Sequence, residues 1–273
     1  LSEGASDFVA GDVTATGGLI SNFTALSTTS YTATFTPTAG STTNGVVSVL
    51  SGAFTDAAGN ANSAASNTVT MRVDTVVPTI AIASNKGSLK AGETATLTFT
   101  LSESATDFVS SDVVVTGGTL SALTGSGLSY TAIFTPTVNS ADIARVNVSS
   151  GKFTDAAGNQ NADGSDANNT VTMSVDTIAP TIGIISNRTN PNSVETATLT
   201  FTLSEPSADF EVGDVTATGG LISSFTRVSA TSYTATFTPT AGSTTSGVVS
   251  VLSGKFTDAA GNANSAASNT VTM

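Results

Sequence analysis

The feature that most constrains the fold is a long internal repeat. The heptapeptide Phe-Thr-Asp-Ala-Ala-Gly-Asn occurs at 54–60, 153–159 and 256–262. The segments 1–71 and 203–273 differ at only 11 of 71 aligned positions, and the middle copy is more divergent. Because self-similarity at a fixed period means that one structural unit is used several times, the chain is predicted to be a tandem array of similar modules.

Two matching linkers mark the boundaries between the modules. Both have the sequence Val-Asp-Thr-x-x-Pro-Thr, at 73–79 and 175–181. Proline has no N–H for a β-ladder and biases the preceding residue toward an extended conformation, so the linkers are expected to be short and taut. The predicted domains are 1–75, which is expected to lack the first two strands of its module, then 76–177 and 178–273.

The pattern inside each module predicts β-strands. Residues 94–101 alternate threonine with alanine, leucine and phenylalanine, which is the period-two pattern of a strand with one buried face. Gly-Gly pairs at 17–18, 117–118 and 219–220 are typical of turns that need a positive φ. About seven short strands per module favour an all-β chain of tandem immunoglobulin-like sandwiches, arranged as an extended rod. In the middle module the predicted strands are 79–84, 94–101, 113–116, 119–123, 130–135, 145–149 and 170–175.

Charge and composition argue against several classes of function. The chain has 20 acidic and 8 basic residues and a net charge of −12, which disfavours nucleic acid and anionic membrane surfaces as partners. No segment is apolar over the ~18 residues that span a bilayer. With no cysteine and no histidine, disulfides are excluded, and zinc chemistry and the usual acid–base catalysts almost so. An enzyme is not expected, since every notable acid recurs whereas catalytic residues need not repeat.

The acidic residues are expected to converge at one pole of each complete module. In an immunoglobulin-like sandwich the loop after the second strand and the loop before the last strand share that pole, where the linker also enters. At the first junction the candidate ligands are Asp74, Glu103, Asp107, Asp112, Asp155 and Asn159. At the second junction they are Asp176, Glu205, Asp209, Asp214, Asp258 and Asn262. The first module offers the equivalent acids Glu3 and Asp56.

A divalent cation would relieve the repulsion among these carboxylates. Ca²⁺ takes six to eight oxygen ligands, which this set offers, and Mg²⁺ fits less well because it demands near-ideal octahedral geometry. We therefore expect Ca²⁺ at the junctions between domains. The alternative is a plain turn, since Asp-Ala-Ala-Gly-Asn is good turn chemistry in itself. The insertion at 163–166 is expected to be a solvated loop, with a local ion site as the alternative.

The motifs together resemble a known family. Leu-Ser-Glu, Tyr-Thr-Ala-Thr-Phe-Thr-Pro-Thr, the heptapeptide and the Val-Asp-Thr-x-x-Pro-Thr linkers are similar to the tandem bacterial immunoglobulin-like repeats of large secreted or cell-surface adhesins of the biofilm-associated type. The resemblance covers the whole chain. It implies type I secretion, an extracellular or bacterial cell-surface location, and repeats that calcium makes rigid.

The leading functional hypothesis is a structural extender of a surface adhesin or extracellular filament, with neighbouring repeats of the same chain or fibre as partners. A cell-surface or glycan ligand is expected elsewhere in the full protein. One alternative is a ligand-binding module for a glycan or cell surface, suggested by the outward threonine rows. The other is a self-assembling filament subunit whose first module is completed by a neighbour's strands.

Overall fold

A computed structural model describes residues 1–163 and 167–273. The predicted all-β class is confirmed: this part of the chain contains strands, three short 3-10 turns and no α-helix. No helix in these two ranges is long and apolar enough to cross a membrane.

The first module consists of two small sheets. One has the strand order β1-β4-β5, and the other is the hairpin of β2 and β3. The strands are β1 (Val13–Thr16), β2 (Gly18–Ala25), β3 (Tyr31–Pro37), β4 (Gly45–Val49) and β5 (Val69–Met71).

The second module is a complete sandwich. Its strands are β6 (Ile80–Ser84), β7 (Ser88–Lys90), β8 (Ala95–Leu101), β9 (Val113–Thr116), β10 (Gly118–Leu120), β11 (Thr124–Ser126), β12 (Ser129–Pro136), β13 (Ile143–Val148) and β14 (Thr170–Asp176). One sheet has the order β10-β12-β8-β6, with β11 also paired to β12, and the other has the order β7-β14-β13-β9. The seven predicted strands all have counterparts. Strands β7 and β11 were not predicted, because three residues are too few to show a period-two pattern.

The third module repeats this arrangement with fewer strands. Its sheets have the orders β15-β16-β19-β18 and β17-β20-β21. The strands are β15 (Ile182–Ser186), β16 (Ala197–Leu203), β17 (Val215–Thr218), β18 (Gly220–Arg227), β19 (Ser232–Pro239), β20 (Val248–Val251) and β21 (Val271–Thr272).

The alternation seen in the sequence produces the core. In β8, the side chains of Leu97 and Phe99 are fully buried between the sheets, while the threonines between them face outward. The ring of Phe108 packs against Tyr130 and Phe153. Each such side chain contributes about 1.5–3 kcal/mol through burial. The second and third modules therefore each have a core of their own.

The Gly-Gly pairs form the turns predicted for them. Gly17, Gly117 and Gly219 have φ values of 73°, 74° and 71°, which other residues rarely adopt. A Cβ at Gly117 would lie 2.8 Å from the Cα of Ala144. In the second module this turn passes the chain from β9 in one sheet to β10 in the other.

Candidate metal centre

The structure brings three carboxylates together at each junction between modules. At the first junction they belong to Asp74, Glu103 and Asp155, with one oxygen from each lying within 4.8 Å of the others. Asp74 is in the linker, Glu103 follows β8, and Asp155 lies between β13 and β14. Residues far apart in the sequence thus meet where the linker enters the second module.

The second junction has the same arrangement. Its three carboxylates belong to Asp176, Glu205 and Asp258, again within 4.8 Å of one another. Asp176 ends β14, Glu205 follows β16, and Asp258 lies between β20 and β21. The recurrence shows that the cluster is a property of the junction and not of one loop.

The heptapeptide folds into a turn that holds its own aspartate rigidly. In the second module, Oδ1 of Asp155 accepts hydrogen bonds from the backbone N–H groups of Ala157 (2.8 Å) and Asn159 (2.9 Å). Its Oδ2 accepts one from Nδ2 of Asn159 at 2.8 Å. Gly158, with φ 89°, closes the turn. The interpretation as a plain turn and the interpretation as a cation site are therefore compatible, since the hydrogen bonds of the turn also hold Asp155 in position within the cluster.

The glutamate of each cluster lies in an unfavourable environment for a negative charge. Burial, and then the charges of Asp74 and Asp155, raise the pKa of Glu103 above its ordinary value. Burial and the charges of the equivalent aspartates raise the pKa of Glu205 in the same way. Oε1 of Glu103 is buried and has no hydrogen-bond partner among the described residues. A buried carboxylate oxygen without a partner is costly, so Glu103 is the member of the first cluster whose charge is least well compensated.

The pKa of Asp155, in the same cluster, shifts in the opposite direction. Burial acts to raise its pKa, but hydrogen bonds from the side chain and backbone of Asn159 and from the backbone of Ala157 and Gly158 outweigh it and lower the pKa. Both ion pairs in the described ranges, Lys86–Glu93 and Arg188–Glu195, lie outside the clusters. Asp155 therefore keeps its negative charge beside Glu103, with no ion pair to offset it.

The donor set fits a hard divalent cation. All three side chains offer carboxylate oxygens, the ligand type that Ca²⁺ and Mg²⁺ prefer. Two oxygens bound to one Ca²⁺ at ~2.4 Å are at most ~4.8 Å apart, so the observed spacing within 4.8 Å is compatible with a shared ion. Asp74, Glu103 and Asp155 would hold it at the first junction, and Asp176, Glu205 and Asp258 at the second.

The structure places the other predicted aspartates outside the clusters. Asp107 accepts hydrogen bonds from the backbone N–H (2.7 Å) and hydroxyl (3.1 Å) of Thr154, and Asp209 binds Thr257 in the same way. These pairs fasten the loops after β8 and β16 to the heptapeptides of the second and third modules. Asp112 accepts a hydrogen bond from the backbone N–H of Val109 and caps a 3-10 turn. Asp214 caps the equivalent turn.

The predicted asparagine ligands hold the linker. Nδ2 of Asn159 donates to the backbone carbonyl of Asp74 at 3.1 Å, and Nδ2 of Asn262 donates to that of Asp176 at 3.0 Å. The same Nδ2 atoms donate to Asp155 and Asp258. Each asparagine thus keeps the linker aspartate next to the aspartate of the heptapeptide.

Two threonines that the sequence analysis missed anchor the linkers to the preceding modules. The hydroxyl of Thr75 donates to the carbonyl of Thr38 at 2.7 Å and accepts from the N–H of Ser41. Thr177 makes the same two bonds, to Thr137 and Ser140. The signal was the repeated Val-Asp-Thr, in which the threonine adjoins the acid. In each linker, the threonine therefore binds the preceding module, and the aspartate before it lies beside the carboxylates of the next module.

Glu3 and Asp56 lie in a different setting. Together with Val49 and Phe54 they line an open cavity of about 610 Å³ in the first module. In the described ranges no third carboxylate joins them in a comparable cluster.

In the insertion of the second module, Asp163 is buried and accepts hydrogen bonds from the N–H of Ile80 (2.7 Å) and from Nδ2 of Asn161 (3.1 Å). It therefore fastens the start of β6. Residues 164–166, the rest of the insertion for which a solvated loop or an ion site was predicted, lie outside the described residues.

Comparisons with known proteins identify the family. Among solved structures, the chain is similar to FdeC, an Escherichia coli adhesin, with 19% identity over 97% of this chain and 83% of that one and a TM-score of 0.38. It is also similar to invasin, a bacterial integrin-binding protein, with 17% identity over 88% of this chain and a TM-score of 0.40. The chain spans 56% of the length of that invasin structure. No curated protein sequence matches it. The family model for the bacterial Ig-like domain matches residues 1–73, 74–172 and 176–273, and the chain therefore belongs to the bacterial Ig-like domain family.

Proposed function

We propose that this chain is a structural extender of a bacterial surface adhesin or extracellular filament, and that Ca²⁺ stiffens its junctions. The observation that carries the proposal is the recurrence of one oxygen-only cluster at both junctions. A ligand-binding site needs to occur only once, whereas a device that stiffens every junction must repeat with the modules.

The linker geometry explains how an ion would act. Thr177 fastens the linker to the second module, and the adjacent Asp176 lies within 4.8 Å of Glu205 and Asp258 in the third module. A cation shared by these three carboxylates would tie the preceding module to the following one. It would also offset the charge of the half-buried Glu205, whose pKa burial and the neighbouring aspartates raise.

Small-angle scattering tests the proposal. The maximum dimension and the flexibility of the chain are measured with Ca²⁺ and after its removal by a chelator. We expect removal to leave the modules folded and the junctions looser. A maximum dimension and flexibility that do not respond to the chelator would contradict the proposal.

Matched variants locate the effect. Glu103→Gln and Glu205→Gln remove one charge from each cluster and should abolish the response to Ca²⁺. Asp112→Asn and Asp214→Asn remove equal charge from caps outside the clusters and should retain it. Calorimetric titration of the same variants gives the number of sites, and Mg²⁺ in place of Ca²⁺ tests the choice of ion.

The proposed setting is extracellular, at the bacterial surface, with neighbouring repeats as the immediate partners. The net charge of −12 is consistent with a chain that avoids nucleic acids and anionic membranes. Any cell-surface or glycan ligand would be bound elsewhere in the full protein.

A second candidate function, assembly into a filament, applies where residues 1–273 form the complete subunit, because the first module then has an open edge. Strand β3 pairs only with β2 in the described part of the chain, whereas its counterpart β19 pairs with both β16 and β18. An unpaired edge is a template for a strand from another molecule. Light scattering against protein concentration tests this function, and a constant monomer mass would eliminate it.

A further inference from the structure

A second set of contacts joins the second and third modules, separate from the carboxylate cluster. The ammonium group of Lys90 donates a hydrogen bond to the carbonyl of Gly261 at 3.0 Å. The backbone N–H of Ala91 donates to Oδ1 of Asn262 at 2.8 Å. Lys90 ends β7 of the second module and Ala91 follows it, while Gly261 and Asn262 end the heptapeptide of the third module.

The loop that carries Lys90 and Ala91 is held in one shape. Residues 90–93 form a tight turn, in which the N–H of Glu93 donates to the carbonyl of Lys90 at 3.1 Å and Gly92 has φ 78°. The Glu93 side chain accepts from the N–H of Lys90 and forms an ion pair with Lys86 at 3.1 Å. A braced loop loses little conformational entropy when it docks, so its two contacts are effective.

Asn262 forms hydrogen bonds to three parts of this junction. Its Oδ1 accepts from Ala91, while its Nδ2 donates to the Asp258 carboxylate at 2.8 Å and to the Asp176 carbonyl at 3.0 Å. Its exposed fraction is 3%. One buried amide therefore contacts the preceding module, the linker and its own module.

We propose that residues 86–93, here called the latch loop, form a docking surface for the Gly-Asn turn of the following module. This contact fixes the angle between the second and third modules independently of any cation. A Cβ at Gly261 would lie 3.1 Å from Nζ of Lys90, so the loop lies close against the turn.

The Gly-Asn turn is the same in all three modules, but the residues of the latch loop differ between the second and third modules. In the third module the ion pair Arg188–Glu195 and the bond from the N–H of Glu195 to the carbonyl of Asn192 reproduce the brace of the latch loop. The docking residues themselves differ, since Asn192 and Ser193 stand where Lys90 and Ala91 stand in the second module. The brace is therefore common to the second and third modules, whereas the docking side chains differ.

Distance measurements between spin labels test the proposal. The chain has no cysteine, so exposed positions can be labelled in pairs after substitution with cysteine. Thr119 with Ser223 reports on the second junction, and Ser21 with Thr119 reports on the first. Ser21 and Ser223 lie at equivalent positions of β2 and β18.

The test variant is Lys90→Ala combined with Ala91→Pro. Proline suits the second position of this type of turn and removes only the N–H that binds Asn262. Lys255→Ala is the matched control, because it removes the same charge from an exposed lysine of the third module whose ammonium has no hydrogen bond in the described ranges. If the double variant does not fold, Lys90→Ala alone is used, since it leaves the backbone of the turn unchanged.

The decisive measurement is made without divalent cations. We expect a narrow distance distribution across the second junction in the parent chain, and the loss of that narrow distribution in the double variant but not in Lys255→Ala. An unchanged distribution in the variant, or a broad distribution across the second junction in the parent chain, would overturn the proposal. A first junction that does not respond to Ca²⁺ would instead contradict the proposed cation and leave the latch intact.

Discussion

The first and third modules have nearly the same sequence but different environments for the same residues. They differ at 11 of 71 aligned positions, yet Tyr233 and Phe237 are 3% and 1% exposed, while their counterparts Tyr31 and Phe35 are only half-buried. Burial in this family is thus not a property of the local sequence alone. It depends on which strands cover that sequence.

The covering elements can be named. In the third module β19 lies between β16 and β18, with Phe201 of β16 directly opposite Tyr233. In the first module the only described partner of β3 is β2. The heptapeptide asparagine follows the same trend: Asn60 is exposed, Asn159 is half-buried, and Asn262 is buried beneath the linker and the latch loop.

The largest test of this comparison uses the phenylalanine of the heptapeptide. Phe256 is 1% exposed, so Phe256→Ala should destabilise the third module by about 3–5 kcal/mol. Phe54→Ala, at a half-buried position beside the open cavity, should cost the first module much less. Hydrogen exchange followed by mass spectrometry measures both, because peptides report each module separately. Equal losses of stability in the two variants would show that burial does not depend on β16, which pairs with β19 in the third module and has no described counterpart beside β3.

The asparagine pair provides the next test. Asn262→Ala leaves the Asp258 carboxylate and the Asp176 carbonyl without their shared donor, and unsatisfied buried groups cost about 1–3 kcal/mol. Asn60→Ala, where the side chain is exposed and donates a hydrogen bond to Asp56, should cost less than about 1 kcal/mol. Chemical denaturation monitored by hydrogen exchange compares them. A larger loss for Asn60→Ala would contradict the role assigned to Asn262 at the junction.

The first and third modules should also differ in their affinity for a cation. Glu205→Gln removes one of three clustered carboxylates and should weaken Ca²⁺ binding at the second junction about tenfold or more. Glu3→Gln changes the equivalent acid in the module with no third carboxylate in the described ranges, and should leave the titration unchanged. Isothermal titration calorimetry distinguishes these outcomes. A comparable loss for Glu3→Gln would place an ion in the first module as well.

The smallest expected effect is a difference in pH dependence between the modules without cation. Burial and the charges of Asp176 and Asp258 raise the pKa of Glu205 above its ordinary value near 4.5. The native third module therefore retains a proton that the unfolded chain has lost, and its stability falls as pH rises through the raised pKa.

The pKa of Asp56 in the first module shifts in the opposite direction. Hydrogen bonds from the side chain and backbone of Asn60 lower its pKa below its ordinary value near 3.8. Its contribution to stability is present above that ordinary value and is lost as pH falls through the lowered pKa. Hydrogen exchange over a pH series should therefore show the third module gaining stability on mild acidification, before the first module loses any. Parallel profiles would refute the assignment.

Much of the fold could be read from local pattern. The heptapeptide and the linkers defined the repeat, and the alternation in 94–101 identified the buried face of β8. The Gly-Gly pairs marked the turns with positive φ. These inferences succeed because strand periodicity and turn chemistry depend on neighbours in sequence. The topology of an immunoglobulin-like sandwich predicted the acidic loops at one pole, and carboxylate oxygens of Asp74, Glu103 and Asp155 lie within 4.8 Å of one another there.

The partners of individual side chains were beyond such inference. Asp107 and Glu103 belong to the same loop, yet Asp107 is bound by Thr154 while an oxygen of Glu103 has no partner among the described residues. The latch from Lys90 to Gly261 joins residues in different modules. The sequence alone therefore determines the repeated modules and most of their strands, and it predicts the pole at which the acidic residues gather. The folded chain determines which carboxylates share a site and which serve as caps, because a side chain's hydrogen bonds depend on distances of a few ångströms between segments that no local pattern specifies.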